Sequence, residues 1–382
     1  MQPDLDPAVE ESPPATPPDL VSSAPQPAPH PSPQQPRDFD WGFIGPHGLR
    51  AGWSILLFAG LYYLFCEVIG TLFFAAGFVS DTPIDSAGAV LVGELVPFLS
   101  LVAALLIMTL IEDRRILSYN LAGAHRVHHF VSGLAVGFAA LSLLIAALAW
   151  GGWLRFGAAS HSVAQAAATG AFWAIAFLLV GSVEEGLFRC YALSTLTRGI
   201  NFWWALAAQI AICLYLAFTG GGNGAWGVYA AAALGLIPCF VLHQKSAPRS
   251  DAFWQAAWVT STFFGFYHTS NSGENWIGIF AAAFMGFVFC LSVRLTGSAW
   301  WAIGGHAAWD WAETFFYGAA DSGLQGQGHF LSASPAGNPL WSGGADGPEG
   351  SLLVFGVILL LLLLLLGLYA RNAAAPAAQP AD

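Results

Sequence analysis

Charge is what this sequence has least of. Only 9% of its 382 residues are Asp, Glu, Lys or Arg, against roughly 25% in an ordinary soluble protein. Too few charges are present to coat a globule of this size, which excludes a soluble enzyme. Basic residues are scarcer still, twelve against twenty-three acids, and a net charge of −11 offers no surface for nucleic acid. Lysine is almost missing, with Lys245 set against eleven arginines. The five cysteines fall inside apolar stretches without CxxC spacing, so neither disulfides nor a cysteine-built metal site is expected. No basic segment followed by a short apolar run marks a cleaved signal peptide. No internal repeat is visible, so the inverted symmetry common in transporters lacks support.

What is there in quantity is apolar: 56% of the chain, with sixteen Trp and twenty-nine Phe. The fold class this implies is an all-α polytopic membrane protein of about eight to ten transmembrane helices. Ten runs are long enough for a roughly 30 Å hydrocarbon core: 51–79, 87–111, 128–150, 170–194, 201–219, 225–243, 253–270, 276–295, 299–317 and 351–370. The sixth and seventh are weakest, since Gly221, Gly222 and Pro238 interrupt the pattern. The excess of Arg over Lys, with abundant Ala and Gly, points to a GC-rich bacterial genome and hence to a bacterial inner membrane.

Residues 1–36 hold twelve of the twenty-two prolines, so a disordered tail is expected over 1–40, able to recruit an unknown partner. Transmembrane helices over 41–169 follow, then a core at 170–317, a Gly- and Ser-rich outer loop at 318–350, a last span at 351–370 and a tail at 371–382. With the N-terminus cytoplasmic, Arg37, Arg50, Arg114, Arg115, Arg126, Arg198, Lys245, Arg249, Arg294 and Arg371 all lie on the inner side. Only Arg155 lies outside.

An ionisable group inside a span costs about 2.5–3.5 kcal/mol on insertion scales, so each one needs a reason. The fourth span carries Glu184, Glu185 and Arg189. Glu185 and Arg189, at i and i+4, share a helix face and neutralise one another, while Glu184 points about 100° away without a partner in its own helix. The plainer reading is a Glu–Arg pair at an interfacial helix end. The seventh span ends on Phe264 and His268, where a hydrogen-bonded interfacial His is the plainer reading. The ninth carries His306, Asp310 and Glu313 at i, i+4, i+7, a polar stripe facing the bundle interior or a His–Asp pair gluing helices. Glu67 and Glu94, in the first two spans, could line a substrate path or pair with interior donors, and a helix-packing role is the expectation. His125, His128 and His129 are expected at the headgroup level.

EExxxR, FxxxH and HxxxD, in that order on three apolar helices, resemble the CPBP family of CAAX-protease and bacteriocin-processing intramembrane proteases, also called Abi. The type II prenyl endopeptidase, or Ras-converting enzyme, is its eukaryotic branch. The resemblance covers about 170–317 and implies an intramembrane endopeptidase acting on a membrane-associated peptide or protein, among membrane lipid. It implies that Glu184, assisted by His268, activates water. It gives Glu185, Arg189 and Phe264 supporting roles and places His306 and Asp310 at the oxyanion. The family's third motif usually ends in Asn, and here Asp310 replaces it. An ionised Asp cannot donate to an oxyanion. Asp310 would then be protonated, or orient His306, or suit a metal: Glu184, His268, His306 and Asp310 form a set acceptable to Zn²⁺. The spacing lacks HExxH, and the favoured mechanism requires no cofactor. Two rivals remain at this stage: an ion-coupled transporter, since buried acids also mark ion paths, and a non-catalytic immunity-type membrane protein that binds a peptide.

Overall fold

The computed structural model describes residues 42–45, 48–78, 86–157, 163–246, 248–271 and 273–369. Both expected tails lie outside the described residues, and Arg37 and Arg371 with them. Ten helices account for most of the rest: α1 (Ala51–Ala75), α2 (Ala87–Ile111), α3 (Arg126–Trp150), α4 (Val163–Glu185), α5 (Phe202–Thr219), α6 (Ala225–Lys245), α7 (Pro248–His268), α8 (Trp276–Thr296), α9 (Trp300–Asp310) and α10 (Val354–Tyr369). Two continue as wider π-helical turns, α4 through Gly186–Ala192 and α9 through Trp311–Tyr317. Strands are confined to two- and three-residue pairs.

The chain is an all-α polytopic membrane protein. Seven of the described helices, α1 to α6 and α8, are long and apolar enough to cross a membrane. The other three expected spans fall short for separate reasons. The sixteen residues of α10 rise about 24 Å, less than the roughly 30 Å core. In α7, polar residues replace apolar ones: Asp251, Gln255, Thr260, Ser261 and Thr262 are all buried. Gln255 Nε2 donates to Asp251 Oδ1 (2.8 Å) and to Cys239 O of α6 (2.9 Å), and Asp251 Oδ2 lies 2.7 Å from His243 Nδ1. These bonds tie α7 to α6 where lipid-like packing offers no driving force. Polar burial, and not helix breaking at Gly221 or Pro238, is what weakened the apolar pattern there. In α9 the interruption is the candidate site itself.

Helix ends follow local chemistry. Asn275 begins α8 by accepting from Ile277 N (2.7 Å) and Gly278 N (3.2 Å), and Gly297, at φ +77°, ends it in the left-handed region. The most buried of the long helices is α8, and α7, α10 and α6 pack around it.

The most extensive helix contact is α3 against α9, and glycine permits it. A methyl on Gly133 would strike Trp301 O, one on Gly137 would strike Gly305 O, and one on Gly304 would strike Phe130 O. The two backbones meet as small-xxx-small helices do in membranes. Gly137→Ala is therefore expected to lower stability by about 1–3 kcal/mol through overpacking. Gly60→Ala on α1, where a methyl meets nothing within 4 Å, is expected to leave it unchanged. Unfolding of the two detergent-purified variants checks this pair.

Residues 318–350 do not hang as a loose loop. Ala333–Pro335 pairs antiparallel with Leu154–Phe156, and Ala320–Asp321 pairs with Leu324–Gln325. Asn275 Nδ2 donates to Gly343 O and Gly350 O, and Trp309 Nε1 donates to Glu349 Oε1 at 2.6 Å. The segment forms a roof over one end of α8 and α9.

Candidate active site

The first motif lies where α4 changes pitch. Glu184 and Glu185 are its last two α-helical residues, and the wider turn begins at Gly186. Such π-turns often mark functional sites, because the extra residue redirects side chains and loosens a carbonyl. Here Arg189 O accepts from Asn120 Nδ2 at 2.7 Å, and Asn120 O accepts from Ala299 N at 2.8 Å. One residue of the α2–α3 connection thus joins the π-turn to the entry of α9.

Glu185 and Arg189 are both fully buried, and Glu185 Oε2 lies 3.2 Å from Arg189 Nε. The guanidinium lies over the Phe264 ring at 4.1 Å, with Phe289 at 5.3 Å and Phe188 at 5.7 Å. Phe264 thereby holds the cation of the first motif as well as preceding His268 in the second. The other oxygen of Glu185 crosses to α9: His306 Nδ1 donates to Glu185 Oε1 at 3.0 Å. A carboxylate only accepts here, so Nδ1 carries a proton.

The far nitrogen of His306, Nε2, lies 3.8 Å from Glu184 Oε2 and 3.5 Å from Asp310 Oδ2. The ring stacks on Phe289 (centroids 5.6 Å, 22° between planes) and meets the edge of Phe264 at 5.9 Å. Both acid distances exceed a good hydrogen bond, yet both acids face one ring nitrogen. Glu185, which the sequence paired with Arg189 alone, thus also bonds His306 across helices.

His268 is the last residue of α7, and its Nδ1 donates to Phe264 O at 2.8 Å. A carbonyl only accepts, so in the neutral ring Nε2 is left as an acceptor. His268, Glu184, His306 and Asp310 line one cavity of about 440 Å³. Glu94 of α2 lines it too, as the substrate-path reading of that residue had it. The walls include Phe177, Met285 and Trp309, and Asp321, Ser322 and Glu349 of the roof line it as well.

By sequence, Glu184 lies past mid-span, His268 near an outer end and His306 closer to the inner side. The α3–α9 contact accounts for His306. Gly137, which faces Gly305, is eleven residues beyond Arg126, or about 17 Å along α3. Glu184 is twelve residues before Leu196, or about 18 Å along its own helix. The entry of α9 is recessed into the bundle, and His306 meets Glu184 at one level.

The expected polar stripe of α9 divides. His306 and Asp310 face the cavity, but the π-turn from Trp311 carries Glu313 to the roof, where it meets Asp321 and Glu349. Among the described residues, these three are the side chains whose ligand atoms all lie within 4.8 Å of one another, not the quartet considered for zinc. Of the three histidines expected at headgroups, His129 is buried and meets the Tyr369 ring edge-on at 5.8 Å.

Sequence reasoning missed the roof. Burial pushes the Glu274 carboxyl up to about 9, with the charges of Asp346 and Glu349 adding to it. Burial likewise pushes Asp346 up to about 8, with Asn275 N–H opposing and Glu349 adding. Both groups carry protons in the folded protein at pH values where the unfolded chain, near pKa 4, has lost them. Their stabilisation is complete below about pH 4 and is lost as pH rises through about 8 to 9. The thermal midpoint in metal-free buffer is expected to fall between pH 5 and pH 9. A rising midpoint would contradict the assignment.

Residues 242–312, well under half of the chain, match the family model described as Rce1-like, type II CAAX prenyl endopeptidase Rce1-like. The matched stretch holds Phe264, His268, His306 and Asp310, while Glu184, Glu185 and Arg189 precede it. The match supports the CPBP/CAAX-protease family and, at that level, a CAAX-type intramembrane protease. No curated protein and no solved structure matches the chain.

Proposed function

We propose that this chain, matched to the CAAX-protease family, is an endopeptidase that hydrolyses a peptide bond of a membrane-associated peptide or protein. The observation that carries the reading is the meeting of Glu184, His268 and His306, from three helices, around one cavity. Hydrolysis there needs a water held between a base and the scissile carbonyl, and a donor for the oxyanion. Glu184 Oε2, which has no hydrogen-bond partner among the described residues, takes the proton of that water. His268 Nε2 accepts a hydrogen bond from the water's remaining O–H and so orients its lone pair. Glu185, anchored by Arg189, holds His306 by Nδ1, and the ring acts as the imidazolium, whose Nε2–H points between Glu184 and Asp310, where the oxyanion develops. The proton on Glu184 then passes to the leaving amine.

Asp310 acts in this scheme on His306 and not on substrate, keeping the Nε2 proton in place. Asp310→Asn is accordingly expected to retain cleavage within about tenfold, whereas Asp310→Ala is expected to lose more, by steady-state turnover. No metal is required. Apolar walls and the buried position suit a substrate already held in or at the bilayer.

The reading places the protein in a bacterial inner membrane with its N-terminus cytoplasmic. Supporting this, Arg114, Arg115, Arg126, Arg198, Lys245 and Arg294 all fall at helix ends on one side, and Arg155 on the other. Peptides that accumulate in cells carrying Glu184→Gln, compared with wild type, identify the substrate. Accumulation of none, with a stably inserted variant, would count against an endopeptidase. Reporter peptides with and without a C-terminal prenylated cysteine determine whether the substrate is of the kind the family description names.

A further inference from the structure

Three carboxyl side chains, Glu313, Asp321 and Glu349, meet under the roof. Glu313, at the π-turn of α9, has 0% of its surface exposed, and neither carboxylate oxygen has a hydrogen-bond partner among the described residues. A buried carboxylate without donors is costly. It faces Asp321 and Glu349, with ligand atoms of all three within 4.8 Å of one another. Those two acids are already oriented: Thr314 Oγ1 donates to Asp321 Oδ2 at 2.9 Å, and Trp309 Nε1 and Ser322 Oγ donate to the two oxygens of Glu349 at 2.6 and 3.3 Å. Residues 318–350 contain no Lys or Arg. The donor set is all oxygen and carries up to three negative charges, which selects a hard divalent cation over zinc or copper.

We infer that Glu313, Asp321 and Glu349 form a binding site for a hard divalent cation, of the Ca²⁺ or Mg²⁺ type, built from other residues than the peptidase set and set at the roof end of the same cavity. Glu313 belongs to the helix of His306 and Asp310, and Asp321 and Glu349 belong to the roof. A bound cation staples one to the other.

The test uses the full-length chain in detergent, freed of divalent cations with a chelator, and Tb³⁺ as the probe, with Ca²⁺ and Mg²⁺ as competitors. Trp309, bonded to Glu349, serves as the antenna. Tryptophan-sensitised terbium emission is expected, displaced by Ca²⁺, and weakened about tenfold or more in apparent affinity by Asp321→Asn and by Glu313→Gln. Ca²⁺ is also expected to raise the thermal midpoint of wild type and not of Asp321→Asn. If Glu313→Gln fails to insert, the roof variants Asp321→Asn and Glu349→Gln carry the test alone. Absence of sensitised emission in wild type, or unchanged affinity in the roof variants, would overturn the site. These are binding readouts, so they stand or fall apart from peptidase activity.

Discussion

Glu184→Gln is expected to reduce turnover by about 10²–10⁴-fold, the range that a positioned general base supplies. The change removes the proton acceptor while keeping the shape of the side chain. Substrate affinity should alter little, since the loss falls on a step made only in the transition state. The thermal midpoint should stay within a few degrees of wild type, because Glu184 Oε2 makes no hydrogen bond that the substitution would break. A variant that cleaves at the wild-type rate would mean that another group activates the water, and Glu94, the remaining α2 carboxylate in the cavity, would be the next to test.

The second large effect is on stability. Glu185→Ala leaves the guanidinium of Arg189 without its counter-charge at 0% exposure and is expected to destabilise the protein by about 3–5 kcal/mol. It also frees His306 Nδ1, so cleavage should fail in whatever fraction remains folded. Removing both charges together, as Glu185→Gln with Arg189→Met, should recover most of the stability, because no uncompensated ion is then buried. Activity should not return with it. Equilibrium unfolding of both single variants and the double variant yields the coupling directly. Additive losses would show that the pair does not act as a unit.

Much of this was legible from residues because lipid makes charge conspicuous. Glu184, Glu185, Arg189, His268, His306 and Asp310 stand out in apolar runs, and the helices fall within a few residues of the expected spans except at α4 and α7, where the helix begins earlier. What was not legible depends on tertiary contact. Glu185 was paired with Arg189 by helical spacing, but nothing in one helix reveals that its second oxygen reaches His306 on another. The π-turns after Glu185 and Asp310 break the 3.6-residue period silently, so the spacing did not show that Glu313 turns toward Asp321 and Glu349. Gly133 and Gly137, four apart, with Gly304 and Gly305 across from them, were the available signal for the close approach that recesses α9. The acids of 318–350 sit in a Gly-rich stretch, where carboxylates read as solvated, and only folding shows them over the cavity.

The most direct measurement is cleavage of a membrane-anchored reporter peptide by purified, reconstituted protein, with the new termini identified by mass spectrometry. Wild type, Glu184→Gln and His268→Ala should be compared at matched insertion and thermal midpoint. The account predicts one defined cut by wild type and none above background by either variant. Equal cutting by wild type and both variants, or no cut of any reporter by wild type, would contradict it.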